Sequence, residues 1–294
     1  MSPYAMLALL VIAWSAFGWS AARRGKLMRA GAPLPRFDRI GERLAGTYRW
    51  AFKQERMDYY QPAGIAHKLI FVGFMVLLLR TLVLWGRGFS PPFNMFVLAP
   101  WTPAGRVYEF AKDSVATLVL GGTMVFFYYR LVKPLKRTTK SFEATLILAI
   151  IATMMIADLA YDGASHVLLM RKVEMCGMGK ASLASAAQCD AIRTIVAPLG
   201  GHLDAASPAK IEWSPYPSPA GTLFGVFFRA LSAGALVWVA RIGFWTHSTL
   251  VLLFLNLLPH SKHFHVITGI PNVFFRSLDP PGRLRPIAES TEKL

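Results

Sequence analysis

Long apolar runs separated by charged loops constrain this chain more than any other feature of its sequence. Several runs reach or approach the roughly 20 residues that an α-helix needs to cross a bilayer. Backbone N–H and C=O groups cannot be left unpaired in lipid, so such runs fold as transmembrane helices. With 54% hydrophobic and 16% charged residues, the sequence predicts an all-α integral membrane protein.

We expect a bundle of five spans, at about residues 4–22, 64–85, 111–132, 142–161 and 241–258. The apolar residues of RFDRIGERLAGTYRWAF recur at helical spacing, which predicts an interfacial amphipathic helix after the first span. Residues 162–221 are expected to form a long outer loop. Residues 222–258 are long enough for two spans, but we expect an interfacial apolar helix, a bend near Arg241 and one span.

The distribution of basic residues predicts the orientation of the bundle. Ten of the 32 Lys and Arg residues lie between the first two spans, five lie between the third and fourth, and five lie in the tail from Lys262. In a five-span bundle all three segments share one side, and such segments are retained in the cytoplasm. We therefore expect an N-out, C-in topology, with a membrane domain over residues 1–266 and a cytoplasmic tail over 267–294. The same asymmetry accounts for the net charge of +16 without a nucleic-acid partner.

The chain contains two cysteines, Cys176 and Cys189, in the expected outer loop. Iron–sulfur clusters are held by about four thiolates, so these residues cannot build one. In an extracytoplasmic loop the two would form a disulfide, and free thiols are the alternative.

Histidines gather in the segment that follows Trp245. His247 and His265 are 18 residues apart, which on one continuous helix is about five turns and about 27 Å. They would point the same way near opposite faces of the membrane. Two imidazoles facing each other across a bundle are the usual axial ligands of low-spin haem b. We therefore predict one haem between His67 and His265, with His263 as the competitor, and a possible second haem between His247 and His166.

Other polar residues in or near the spans are candidates for the same chemistry. Arg80 and Arg241 could pair with haem propionates, or with Asp158 and Asp162. A quinone site needs hydrogen-bonding groups beside a haem, and the candidates are two residues near each predicted haem: Lys68, Lys262, Asp158 and Tyr161.

Two other functions fit the histidines. His260, His263 and His265 form an H-x2-H-x-H cluster that could bind non-haem iron or zinc in a membrane metalloenzyme. The chain could also be a haem-free anchor subunit whose histidines are incidental.

Several segments together resemble a known family: RFDRIGERLAG, AGIAHKLIFVGFMVLLL, EWSPYPSPAG and WTHSTLVLLFLNLLPHSKHFHVITGIPNVFF. They are similar to the membrane cytochrome b domain of bacterial iron–sulfur (heterodisulfide-reductase-like) oxidoreductases, which is related to the gamma subunit of nitrate reductase. The resemblance implies a five-helix module in the bacterial cytoplasmic membrane that binds haem b and reacts with menaquinone or ubiquinone. Its ligand positions fall on His67, His247 and His265, whereas the gamma subunits carry a second ligand on span two that is missing here.

The resemblance also implies a partner. Relatives often continue into a cytoplasmic region with cysteine clusters, which this sequence lacks. We therefore expect a separate iron–sulfur subunit of the CCG type to dock on the basic face. The chain would be its membrane-anchoring cytochrome b subunit.

Overall fold

The computed structural model describes residues 2–31, 36–134, 141–176, 185–200 and 217–279. Within these ranges every regular element is helical. The α-helices are α1 (Pro3–Arg29), α2 (Ile40–Thr47), α3 (Ala63–Phe89), α4 (Pro103–Phe127), α5 (Phe142–Cys176), α6 (Ala186–Val196), α7 (Pro219–Phe228), α8 (Ala233–Leu257) and α9 (His265–Phe274).

Five of these helices are long and apolar enough to cross a membrane: α1, α3, α4, α5 and α8. The predicted fold class, an all-α multi-pass membrane protein, is confirmed. The N-out, C-in orientation and the division into residues 1–266 and 267–294 stay predictions, and residues 280–294 lie outside the described part of the chain.

Several helices extend beyond the expected spans, and two of these extensions bear on the site. α5 continues to Cys176, so the first quarter of the expected outer loop 162–221 is helical, and Asp162 and His166 lie within the helix. α4 begins at Pro103, eight residues earlier than expected, where the Thr102 side chain accepts a hydrogen bond from the backbone N–H of Gly105 at 2.9 Å.

The bend that was expected near Arg241 lies between α7 and α8, before Ala233. A short apolar helix does precede the last span, as predicted, but α7 ends at Phe228 and α8 begins at Ala233. Ser232 caps α8 by accepting from the backbone N–H of Ala235 at 3.3 Å. Arg241 is therefore in the interior of α8.

The assumption that His247 and His265 share one helix is also wrong. α8 ends at Leu257, and a single 3₁₀ turn over Leu258–His260 follows. Ser261 is extended, with φ −120° and ψ 166°, and α9 starts only at His265. Pro259 lacks the N–H that would continue the α-helical hydrogen-bond ladder, so the chain turns here.

α5 lies at the centre of the bundle and contacts α4, α6, α7 and α8. Its C-terminal half packs in an apolar core with Ile192 of α6 and Phe244 of α8. A second core joins Leu77, Val119 and Met155 of α3, α4 and α5. The disulfide Cys176–Cys189 ties the end of α5 to α6, so the predicted disulfide is present.

The predicted amphipathic segment forms α2 and packs against α9. Arg43 is 3% exposed, and its guanidinium donates to the backbone oxygens of Phe274 at 3.0 Å and Arg276 at 2.8 Å. Arg43 also donates to Asp38, and this hydrogen bond lowers the pKa of the Asp38 carboxyl. These contacts satisfy carbonyls at the end of α9 and hold that helix against the bundle.

Candidate functional site

A cavity of about 480 Å³ runs between α3, α4, α5 and α8. The segment Trp50–Met57 and helix α9 line one of its ends. Most of its wall is apolar, but it includes four of the seven histidines: His67, His247, His263 and His265. An apolar cavity of this size with a few convergent polar groups is typical of a ligand or cofactor site.

The cavity is elongated. His67 and Thr81 both line it and lie 14 residues apart on α3, which is about 21 Å along a helix. One end, called here the α9 end, carries His67, His263 and His265. The other, the His247 end, carries His247 and Thr81.

His67 is held at the α9 end by a residue that sequence reasoning missed. Its Nδ1 lies 3.1 Å from Oε1 of Gln54, a side chain that is 8% exposed. Gly64 permits this approach, because a Cβ there would lie 1.8 Å from the backbone oxygen of Met57. With Nδ1 donating to Gln54, Nε2 keeps its lone pair for a ligand.

His265 has the same arrangement. Its Nδ1 lies 3.1 Å from the backbone oxygen of Lys262, which can only accept, so Nδ1 carries the proton and Nε2 is left as an acceptor. The His263 ring centroid is 6.0 Å from that of His265. Burial, and secondly the charge of His265, lower the pKa of His263, which favours the neutral form that binds metals.

At the opposite end, His247 is 1% exposed and joins the cavity to a cluster of buried charges. The Thr81 hydroxyl donates to the backbone oxygen of Leu77 at 3.1 Å, which leaves its oxygen to accept from Nε2 of His247 at 3.3 Å. The Nδ1 of His247 lies 3.7 Å from Oδ1 of Asp158.

The charged cluster is built by α3, α4 and α5. Arg80 donates to Asp158 at 2.9 Å and to Asp162 at 2.6 Å. Lys112 pairs with Asp162 and, at 2.9 Å, with Glu109. None of the five side chains is more than 6% exposed. Arg80 was predicted to pair either with haem propionates or with the aspartates, and in the structure it pairs with the aspartates.

Glu109 and Lys112 did not stand out in the sequence, because Glu109 lies just before the expected third span, 111–132, and Lys112 lies in its first turn. An available signal was the Glu–x–x–Lys spacing, which places opposite charges on one helix face directly before an apolar run.

Some of the predicted residues are not brought together. His166 and Arg241 do not line the cavity, and His260 contacts Ser20 of α1 at 3.2 Å. In the part of the chain that the structure describes, no three His, Cys, Asp or Glu side chains gather to hold a metal ion. The H-x2-H-x-H metal cluster is therefore not formed.

The four quinone-site candidates also lie outside the cavity wall. Lys68 pairs with Asp58 at 2.6 Å, and Lys262 binds Glu143 through its backbone N–H at 2.8 Å. Asp158 reaches the cavity only through His247. Tyr161 is 1% exposed, and its ring lies 5.5 Å from the Arg80 guanidinium carbon.

Comparison with known proteins gives two relatives of similar identity. The chain is 25% identical to the probable iron–sulfur-binding oxidoreductase FadF of Bacillus subtilis over 285 residues, which are 96% of this chain and 34% of that protein. It is 26% identical over 257 residues to the EtfAB:quinone oxidoreductase of Syntrophomonas wolfei, covering 85% of this chain and 30% of that protein. No family model and no solved structure matches.

The chain thus spans about a third of the length of these curated relatives. The resemblance to iron–sulfur oxidoreductases is confirmed at this level, and the narrower assignment to a cytochrome b domain stays a prediction. By sequence, the chain is a relative of iron–sulfur-binding and quinone oxidoreductases.

Proposed function

We propose that this protein is the membrane electron-transfer subunit of an oxidoreductase. It holds one haem b in the cavity, between His67 and His265, and relays electrons between a membrane quinone and an iron–sulfur partner. One observation carries the proposal: two histidines from separate elements line one apolar cavity, each with Nδ1 hydrogen-bonded and Nε2 left for a ligand.

The residues of the α9 end fit such a group. Histidines that ligate a metal usually donate their other N–H to an oxygen that fixes the ring, as Gln54 and the Lys262 carbonyl do here. His263, whose buried Nδ1 has no hydrogen-bond partner among the described residues, is the alternative to His265. When bound, haem b supplies reversible one-electron transfer, and the protein supplies ligands and a dry, apolar surround.

Two arginines on the cavity wall are the best propionate partners. Arg56 and Arg130 line the cavity, and Arg80 and Arg241 do not. Guanidinium groups bind carboxylates with two parallel hydrogen bonds. We therefore move the proposed propionate contacts from Arg80 and Arg241 to Arg56 and Arg130.

The iron–sulfur centres would not be bound by the residues of this sequence. The chain has two cysteines, joined in a disulfide, and one relative is named as iron–sulfur-binding and the other as a quinone oxidoreductase. A CCG-type, heterodisulfide-reductase-like subunit on the basic face remains our proposal for the partner. Menaquinone or ubiquinone is the proposed quinone, and the bacterial cytoplasmic membrane the proposed location.

A second haem between His247 and His166 stays a prediction, and the proposed function does not require it. His166 does not line the cavity, so His67 and His265 are the only iron ligands proposed. A haem-free anchor subunit is the alternative function.

The test is the pyridine haemochrome spectrum of the purified protein and of single variants. We expect haem b in the wild type, and its loss in His67→Ala and in His265→Ala. His260→Ala is the matched control, because His260 belongs to the same segment but contacts Ser20. If His265→Ala retains haem and His263→Ala loses it, the second ligand is His263 and not His265. Absence of haem b from the wild type would refute the proposal.

A further inference from the structure

The cluster of buried charges beside the cavity has no part in the proposed haem site. Charged groups in a membrane-spanning region are costly and usually mark ion or proton pathways. Here five of them pair within the bundle: Arg80, Glu109, Lys112, Asp158 and Asp162. The cluster lies next to the His247 end of the cavity, away from the proposed haem ligands.

The charges in this cluster do not balance. Two cations, Arg80 and Lys112, face three carboxylates. The ring of His166 faces Asp162 from the same helix and adds a positive charge only when it binds a proton. Asp113, the nearby fourth carboxylate, is satisfied separately by Ser218 Oγ at 2.9 Å and by the backbone N–H groups of Ala220 at 2.6 Å and Gly221 at 3.0 Å. One unmatched negative charge in a buried site favours binding of a proton. The cluster can therefore hold one exchangeable proton.

His247 is the group through which such a proton can reach the cavity. Its side chain lines the cavity, and its Nδ1, which has no hydrogen-bond partner among the described residues, lies 3.7 Å from Asp158. Arg80 cannot give up its proton in a protein, but it holds the carboxylates of Asp158 and Asp162 together, so a proton has to move from one carboxylate to the other. Lys112 holds Asp162 beside Glu109 in the same way.

The far end of this chain of contacts lies near one face of the membrane. Glu109 is six residues after Pro103, the first residue of α4, which is about 9 Å along the helix. Successive spans alternate in direction, so the start of α4 is on the same side as the start of α1. Tyr108 is also buried there, and its hydroxyl has no hydrogen-bond partner among the described residues.

We propose that the buried charged cluster is the proton route of a quinone site at the His247 end of the cavity. This rests on the proposed function, and it places the quinone headgroup against His247 and Thr81. Reduction of the quinone to quinol takes two electrons, which the proposed haem and iron–sulfur partner would supply, and two protons. His247 donates protons to the quinone oxygens, and Asp158 reprotonates His247. Water on the side where α1 begins replaces the protons through Glu109.

The experiment follows haem oxidation in the purified protein. The haem is reduced with a stoichiometric amount of dithionite, so that none remains to reduce the quinone directly, and is then mixed rapidly with 2-methyl-1,4-naphthoquinone or a decyl-substituted benzoquinone. Removing a group that transfers protons slows such reactions by about 10²–10⁴-fold, so we expect Asp158→Asn and His247→Gln to slow haem oxidation by about 100-fold while keeping wild-type haem content. Asp158→Glu, which retains a carboxyl, should recover most of the rate. The pH dependence of the wild-type rate should disappear in Asp158→Asn.

Asp190→Asn is the matched control, because it makes the same chemical change on the exposed surface of α6, where Asp190 is 75% exposed. Its rate should equal that of the wild type. A second measurement needs no variant in the charged cluster. In vesicles with a trapped pH indicator, quinone reduction should take up protons from the side where α1 begins.

The possible outcomes separate this inference from the proposed function. Wild-type rates in both Asp158→Asn and His247→Gln, or proton uptake from the α9 side, would overturn the inference. Loss of about half of the haem in His247→Gln would also overturn it, because His247 would then be an iron ligand. A wild-type protein without haem b, or one whose haem no quinone oxidises, would instead contradict the proposed function.

Discussion

The hydrogen bond between Gln54 and His67 shows how one side chain outside the spans can prepare a site inside them. Gln54 has a left-handed backbone, with φ 51°, and its side chain is buried beside the first turns of α3. It fixes both the tautomer and the orientation of the His67 ring. The site therefore depends on a residue that carries no ligand atom itself.

We predict that Gln54→Ala weakens haem retention without abolishing it. Loss of a residue that orients a ligand typically costs about 10–100-fold in metal affinity. Haem content after dilution, measured by the haemochrome spectrum, should fall faster than in the wild type. Gln61→Ala is the control, since Gln61 is exposed and only contacts the backbone oxygen of Asp58 at 3.5 Å. Equal retention in the two variants would argue against a role for Gln54.

Arg80 is the residue on which the charged cluster most depends, because it neutralises both aspartates of α5. We predict that Arg80→Leu destabilises the protein by about 3–5 kcal/mol, the usual cost of removing one partner from a buried ion pair. Thermal unfolding in detergent measures this. Arg193→Leu removes an exposed arginine, 65% accessible and paired with Asp190 at 3.3 Å, and should cost at most about 1 kcal/mol. Similar losses in both variants would contradict the prediction.

At the scale of elements, the contact between α5 and α8 sets the width of the cavity. The two helices lie close together at Gly243, where a Cβ would lie 2.6 Å from the backbone oxygen of Ala157 and 3.1 Å from the backbone nitrogen of Tyr161. Backbone atoms cannot rotate away as a side chain can. Gly243 is therefore required by packing, and it lies one turn before His247.

We predict that Gly243→Ala pushes α8 away from α5 and lowers the free energy of unfolding by about 1–3 kcal/mol, as overpacking in a core usually does. The matched change is Gly121→Ala on α4, where an added Cβ would meet nothing within 4 Å. The free energy of unfolding of that variant should rise by up to about 1 kcal/mol, because alanine favours helices more than glycine does. Thermal unfolding of the two variants should therefore shift in opposite directions, and a stabilised Gly243→Ala would refute the packing argument.

At the scale of the whole molecule, the distribution of basic residues predicts the orientation in the membrane. Tyr4 and Met28 lie near opposite ends of α1 and are 85% and 78% exposed. In spheroplasts, an impermeant maleimide should label Tyr4→Cys directly and Met28→Cys only after permeabilisation. The two native cysteines form a disulfide and should give no background. The reverse labelling pattern would show that the positive-inside rule fails for this chain.

The number of spans and several site residues could be predicted from sequence because they depend on local properties. The length of an apolar run determines whether a helix can cross a bilayer, and histidines in such runs stand out individually. His67, His247, His263 and His265 were all singled out, and all line the cavity. The reason given for two of them was wrong, since the helix that was to align His247 with His265 ends at Leu257.

Only the tertiary structure decided which polar residues meet. Arg80 and Asp162 are 82 residues apart in sequence, and their pairing depends on the relative depth and rotation of α3 and α5. Those quantities are set by packing contacts such as Gly243 against Ala157, which no local pattern encodes. The apolar length that places a helix in the membrane acts residue by residue along one segment. The ion pairs and the cavity arise from several segments at once, so they exist only in the packed bundle.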